Sequence, residues 1–67
     1  MKYYTENKRE VTDRITDGRT EFFYENLLNS YEQAEKCASE KGSYVYPVYS
    51  FTGIKQKFDF VGYGVPN

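Results

Sequence analysis

The residue types that most often carry out chemistry are scarce in this sequence of 67 residues, which has one cysteine, no histidine and no tryptophan. Cys37 is the candidate nucleophile. A catalytic thiol needs a lowered pKa and usually a histidine partner, which this chain lacks. Cys37 shares a predicted helix stripe with Ala34 and Ala38, so we interpret it as a small core residue.

Acid–base and metal chemistry also have little support. Asp13 is the one acid that the pattern places on an apolar strand face, and carboxylate pairs act as acid and base in glycosidases. A register slip or an ion pair explains Asp13 more simply, and a chain this short offers little volume for a substrate cleft. The chain has no Cys-x-x-Cys motif, and Asp13, Asp17 and Gly18 lack the alternating oxygen ligands of a calcium loop. We therefore predict a non-enzymatic protein without cofactor, metal or small-molecule substrate.

Aromatic side chains are abundant instead, with eight tyrosines and five phenylalanines. Tyrosine offers a large contact area for few frozen torsions, which is why it is enriched in protein interfaces. Tyrosines on a sheet, with lysines nearby, also stack the bases of single-stranded nucleic acid. The formal net charge of −1 provides no field to attract a polyanion, so protein binding is the main hypothesis and nucleic-acid binding the alternative.

The clearest local signal for structure is Asp17-Gly18, a pair that suits a two-residue type I′ turn. It predicts a hairpin between residues 10–16 and 19–26. In this register Phe22 and Tyr24 lie on the apolar face with Val11 and Ile15, and Phe23 lies on the other face.

A helix is predicted after this hairpin. Ser30 followed by Gln33 has the form of a capping box, and Gly42 is a suitable residue just beyond the helix end. The predicted apolar stripe has small side chains, so the helix should pack closely against a sheet. Its members are Tyr31, Ala34, Cys37 and Ala38.

A second hairpin is predicted from residues 44–51 and 54–63, with Thr52-Gly53 as the turn. Pro47 cannot donate a hydrogen bond to a strand partner, so its strand should lie at a sheet edge or be bulged there. Gly62, Gly64 and Pro66 indicate that the chain leaves the sheet near its end.

These elements predict an α+β fold of order ββαββ, with one four-stranded antiparallel sheet and a single helix packed on one face. We expect one domain over residues 1–67, because a chain of this length makes one small core. Residues 1–8 either extend the first strand or form a frayed tail, and residues 64–67 form a loose end. Six aromatic residues are assigned to the core under the helix: Phe22, Tyr24, Tyr49, Phe51, Phe58 and Phe60.

The predicted binding site is the sheet face that the helix leaves uncovered, or the edge strand that contains Pro47, because contiguous apolar patches usually mark interaction surfaces. Its predicted members are Phe23, Tyr44, Tyr46, Val48, Lys55, Lys57, Val61 and Tyr63. The partner is a second copy, giving a homodimer, or a larger protein or complex that the chain serves as an adaptor or inhibitor. Small proteins of phages and mobile elements provide an analogy for the second version. The nucleic-acid alternative uses the stacked tyrosines with Lys55 and Lys57.

The compartment is predicted from what the sequence lacks. A lone cysteine cannot form an internal disulfide, whereas small secreted domains usually carry several. We also find no signal-peptide pattern and no run of the roughly 18 apolar residues that a membrane span needs. We therefore expect a cytoplasmic protein that does not bind membranes.

Overall fold

A computed structural model describes residues 1–24 and 27–67 of the chain. Its elements are β1 (Tyr3–Tyr4), α1 (Thr12–Thr16), β2 (Thr20–Phe23), α2 (Leu27–Lys41), β3 (Tyr46–Thr52) and β4 (Lys57–Pro66). The four strands form one antiparallel sheet in the order β1-β3-β4-β2, and α2 packs on one face against β4 and β2. The predicted α+β architecture is confirmed, and the short helix α1 is an addition to it.

The predicted hairpin around Asp17-Gly18 is wrong. Residues 12–16 form α1, and Asp17 donates its backbone N–H to the Asp13 carbonyl at 2.9 Å. Gly18, with a φ of 73°, follows the end of this helix. A positive φ serves a helix end as well as a type I′ turn, so the dipeptide alone could not distinguish them. The end of the predicted strand, Glu25 and Asn26, lies outside the described residues.

The N-terminal segment provides the first strand instead. Tyr3 pairs with Ser50 and Tyr4 with Tyr49, so β1 is an edge strand beside β3. The Val11 N–H then bonds to the Tyr3 carbonyl at 2.8 Å. Because β1 and β2 lie at opposite edges of the sheet, residues 11–19 must cross it, and they do so on the face opposite to α2.

Helix α2 begins at Leu27, earlier than the predicted capping box. The Ser30 hydroxyl donates to the Tyr24 carbonyl at 2.9 Å and is buried within the helix rather than capping it. The end of α2 is as predicted: Gly42 has a φ of 65°, and Ser43 N–H bonds to the Ala38 carbonyl at 2.8 Å. This six-to-one bond is the signature of the Schellman motif, which requires a left-handed residue where Gly42 lies.

The prediction that α2 buries a stripe of small side chains is confirmed. Ala34 and Ala38 are buried and form the core with Val65 of β4. Phe23, Cys37, Val45 and Tyr63 pack around this cluster. Alanines allow the helix backbone to approach the sheet closely, and the larger strand side chains fill the space between the two layers.

Strands β3 and β4 form the second hairpin, but in a different register from the predicted one. The turn has four residues, 53–56, which sets Phe51 opposite Phe58 and Tyr49 opposite Phe60. A register shift then skips Val61, so that Val48 pairs with Gly62. The shift follows Pro47 by one residue, and β1 pairs only with Tyr49 and Ser50. The prediction that Pro47 requires an edge or a bulge is therefore consistent with the structure.

Strand β4 continues through Pro66, so the predicted loose end over residues 64–67 is wrong. Gly62 and Gly64 serve close packing within the strand. A Cβ at Gly62 would lie 2.3 Å from the Phe23 carbonyl oxygen. The predicted loose end is also held: the Asn67 N–H bonds to the Arg19 carbonyl at 2.9 Å.

Candidate functional site

The residues predicted to form one binding face are divided between the two faces of the sheet. Phe23 and Tyr63 point toward α2 and pack against its core. Strand alternation places Tyr46 and Val48 on the opposite face. Val61 has no partner on β3, so each later side chain of β4 points to the opposite face from the one predicted for an unbulged strand. Strand β2 pairs with this later part of β4. The prediction of one shared face is wrong for this reason.

The remaining predicted site residues are also dispersed. Tyr44 is exposed, and its ring lies 6.1 Å from that of Tyr46. Lys55 lies in the four-residue turn, and Lys57 pairs with Asp59 at 3.5 Å on the face opposite to α2. Asp13, the candidate acid, is exposed in α1 and not on an apolar strand face.

The sheet face opposite to α2 was predicted to be uncovered, but other parts of the same chain pack on it. Val48 is fully buried there, and Ser50 is buried beside it. The rings of Tyr3 and Phe22 reach toward each other from opposite edges of the sheet and meet with centroids 5.5 Å apart. The crossing segment 11–19 covers a further part of this face, with Val11 buried. This face therefore needs no partner to cover Val48.

The open surface lies on the same face as α2, on the half of the sheet that the helix does not cover. We call it the aromatic row; its members are Tyr4, Tyr49, Phe51, Phe58 and Phe60. Register and alternation place all of them on this face. Four were assigned to the core under the helix, and their face was predicted correctly, but the buried residues of α2 pack on Val65 near the end of β4 and leave Phe51 and Phe60 more than one-third exposed.

The rings of the aromatic row contact one another largely edge to face. The centroid distances are 5.3 Å for Tyr4 and Phe58, 4.9 Å for Phe51 and Phe58, and 5.8 Å for Tyr49 and Phe60. The row continues to the helix, because Phe60 lies 5.2 Å from Tyr63 and Tyr63 lies 5.2 Å from Tyr31. Such contacts hold the rings in defined orientations before any partner binds.

Two rings of this surface are exposed to solvent, and the other three are half-buried. Phe51 is 38% exposed and Phe60 is 37% exposed. The apolar surface extends onto the first turns of α2, where Leu27, Leu28 and Tyr31 are all exposed. At its other end the Lys8 ammonium lies 5.4 Å from the centre of the Phe58 ring, a cation–π geometry.

Sequence reasoning missed this surface because the pattern reports which face a side chain takes, but not how far a helix extends over that face. One signal was available. The sequence carries aromatic residues at Tyr49, Phe51, Phe58 and Phe60, more large rings than a helix stripe of two alanines and a cysteine can cover.

The described residues contain no group of three or more possible metal ligands, and they leave no buried side-chain nitrogen or oxygen without a hydrogen-bond partner. A cleft of about 440 Å³ lies between the N-terminal loop and β3, and its charged residues are balanced in sign. They are Glu6, Arg9, Glu10 and Arg14.

Cys37 is in contact with an ion pair, and its surroundings make it less reactive. The thiol donates to one carboxylate oxygen of Glu21 at 3.3 Å, and Lys41 donates to the other at 2.5 Å. Burial, and then the hydrogen bond to Glu21, raises the pKa of the Cys37 thiol. The hydrogen bond from Lys41 lowers the pKa of the Glu21 carboxyl. The thiol therefore stays protonated, which is the opposite of what an activated nucleophile needs.

The Glu21–Lys41 pair predicts a pH-dependent contribution to stability. Because the folded-state pKa of Glu21 lies below 4.5, the pair stabilises the fold above that pH and loses its effect as the pH falls through the folded-state value. Wild type should be more stable than Lys41→Met at pH 7, and the difference should shrink below pH 4.5. Urea midpoints measured between pH 7 and pH 3 check this. A difference that stays constant over that range would contradict the assignment.

No protein-family model, curated protein or solved structure matches this chain. Among the described residues, no helix is both long and apolar enough to cross a membrane.

Proposed function

We propose that this chain is a small non-catalytic protein-binding domain that binds its partner through the aromatic row. The observation that carries the proposal is the row itself. Large rings lie side by side on the half of the sheet that α2 leaves open, and Phe51 and Phe60 are more than one-third exposed. Contiguous exposed apolar surface on a small domain is typical of an interaction site.

The arrangement of the rings favours tight binding. Each ring of the row is already oriented by its neighbours, so little side-chain entropy remains to be lost when a partner covers it. Tyr4, Tyr49 and Tyr31 add hydroxyl groups that can meet polar atoms of a partner. Leu27 of α2 lines one depression with Phe60, and the neighbouring Leu28 is exposed, which enlarges the apolar area.

The sheet edges are weaker candidates for binding than the aromatic row. One edge strand, β1, has only two residues, and the part of β3 that β1 leaves unpaired includes Pro47, which has no backbone N–H to donate. The other edge strand, β2, is four residues long and begins with a buried threonine. Short edges of this kind offer few backbone groups for pairing.

Single-stranded nucleic acid is the second candidate partner, supported by Lys8 over the Phe58 ring and by Lys55 in the nearby turn. The protein partner is favoured because Lys57 is paired with Asp59 and the net charge is −1. The lone cysteine, which cannot form an internal disulfide, supports a cytoplasmic location. An adaptor or inhibitor encoded by a phage or mobile element is the analogy that suits such a domain.

The proposal is tested by a double variant, Phe51→Ser with Phe60→Ser, against the matched control Tyr44→Ser. The double variant should lose at least about tenfold in partner affinity, because exposed aromatic anchors dominate binding energy. Tyr44 is exposed but lies outside the row, so its variant should bind like wild type. Affinity capture from the native cell, with quantification of what is retained, measures the effect after circular dichroism has shown that each variant is folded.

The opposite pattern, loss of capture in Tyr44→Ser and full capture by the double variant, would contradict the proposal. A fluorescence titration with a single-stranded oligonucleotide at low salt belongs to the same experiment. Binding there that requires Lys8 and Lys55 would favour the second candidate.

A further inference from the structure

We infer that two copies of this chain pair edge to edge along the open side of β4, with Phe58 on a two-fold axis, to form one continuous sheet. Each copy contributes half of the contacts, so the site is complete only when both are present. The inference goes beyond the proposed function, because edge pairing uses backbone groups and leaves the sheet face that carries the aromatic row open.

Beyond the end of β2, strand β4 is itself an edge of the sheet. It has ten residues, of which β2 pairs only with residues 63–66, whereas β3 pairs with residues 57–60 on the other side. Within the described part of the chain, no strand lies against the outer side of residues 57–60. Alternate residues of a strand direct their N–H and C=O groups to each side. This edge therefore presents backbone groups that a further antiparallel strand can pair with.

The charges along this edge are complementary to those of a second copy. A two-fold axis perpendicular to the sheet runs the two edges antiparallel and keeps the same face upward in both copies. With the axis at Phe58, this residue lies opposite its own copy, and Lys57 lies opposite Asp59 of the second copy, twice. Lys57 and Asp59 are exposed and form an ion pair at 3.5 Å within one chain. Cross-strand partners lie about 5 Å apart, so the four charges alternate in sign across the interface.

Other registers of the same pairing are unfavourable. An axis at Lys57 or at Asp59 would set two like charges directly opposite each other, which is destabilising. An axis at Phe60 would bring Lys57 to the position opposite Tyr63, where β2 is already paired. The edge therefore specifies one register for self-pairing.

The remaining charges near the edge do not oppose this arrangement. Glu6 and Lys8 carry opposite signs and line one depression beside Phe58. Lys55 lies in the turn, so its two copies are at opposite ends of the interface, roughly 20 Å apart along the strands. That separation is about twice the Debye length at physiological ionic strength.

An apolar contact at the tip of the hairpin supports the same register. Ile54 in the turn is 96% exposed. The axis at Phe58 brings this tip level with residues 60–62 of the second copy, where an open depression lies. Its lining comes from the end of β2, the start of α2 and the bulged part of β4, and includes Phe22, Tyr24, Leu27, Phe60 and Val61. Each copy thus places its exposed isoleucine beside the apolar depression of the other, twice in one closed dimer.

Charge variants test the register. Lys57→Glu and Asp59→Lys each place like charges opposite one another at both contacts, so the dissociation constant of each dimer should rise at least about tenfold. An equimolar mixture of the two should recover the wild-type affinity, because the mixed dimer has opposite charges at both contacts. Lys36→Glu makes the same charge change on the exposed side of α2 and should leave the dimer unchanged. Sedimentation velocity from micromolar to millimolar concentration measures every sample.

Ile54→Ser tests the contact at the tip by the same method. Because Ile54 is exposed in the single chain, its replacement should leave the fold intact and weaken the dimer about tenfold, through the apolar area that association no longer buries. Tyr44→Ser is the matched control, since Tyr44 is exposed but lies away from this edge. Equal affinities of these two variants would overturn the proposed register.

Amide hydrogen exchange on the wild type needs no substitution, so it decides the matter even if a charge variant is unfolded by circular dichroism. Alternate amides of residues 57–60 should exchange more slowly as the protein concentration rises, and the amides on the outer side of β1 should not change. Wild type that stays monomeric at millimolar concentration, folded charge variants whose mixture stays dissociated, or exchange over residues 57–60 that is independent of concentration would each overturn the inference.

Discussion

Replacing Gly62 with alanine is expected to lower the free energy of unfolding by about 3 kcal/mol. The new Cβ would lie 2.3 Å from the Phe23 carbonyl oxygen and 2.5 Å from the Tyr24 Cβ. The first of these atoms belongs to the backbone of a paired strand and the second is fixed directly to the backbone, so neither can rotate away. A chain of 67 residues has a total stability of roughly 3–10 kcal/mol, so this change removes a large part of it.

Gly53→Ala is the matched control, because a Cβ at Gly53 would have no atom within 4 Å. Urea unfolding of both variants measures the difference. Gly64→Ala should fall between them, since its new Cβ would meet the ring of Tyr46, which is a side chain and can shift. Equal stabilities for the Gly62 and Gly53 variants would mean that Phe23 and Tyr24 do not pack against Gly62 this closely.

Ala34→Leu is expected to cost about 1–3 kcal/mol. Ala34 is fully buried between α2 and β4, where it forms the core with Ala38 and Val65. Three additional carbon atoms would push the helix away from the sheet or force Val65 out of its preferred rotamer. The loss should appear as a lower unfolding midpoint.

Gln33→Leu is the control for this change, because it adds a leucine at the adjacent exposed position of the same helix. Leucine is a good helix former, so this variant should be nearly neutral. An Ala34→Leu variant as stable as the Gln33 variant would show that the contact between α2 and β4 is loose enough to accept a larger side chain.

The features that could be predicted from the sequence depend on neighbours along the chain. The end of α2 at Gly42 followed from one residue that readily takes a positive φ, and the stripe of Ala34 and Ala38 followed from the period of the helix. The existence of the β3–β4 hairpin followed from two β-rich segments joined by a short turn. Even the facing of Tyr49 and Phe51 was correct, because alternation along an uninterrupted strand needs no tertiary information.

The features that could not be predicted depend on contacts between distant residues. Asp17-Gly18 satisfies a helix end and a hairpin turn equally well, and only the pairing of β2 with β4 decides between them. The bulge at Val61 adds one residue to β4, so the side chain of Tyr63 points toward α2 instead of away from it. Phe23, which pairs with Tyr63, points the same way. A shift of one residue carries no penalty that a local pattern can report, yet it exchanges the faces of a strand.

The candidate site shows the same division. By itself, the sequence determined that aromatic rings exceed what a small-sided helix can cover, and that histidine and paired cysteines are absent. Tertiary structure alone decided which rings stay open. The N-terminal segment crosses one face, where Val48 is buried, whereas α2 leaves Phe51 and Phe60 partly exposed on the other. Which rings are covered depends on the path of the chain across the sheet, and that path is set by long-range packing rather than by the type of any residue along it.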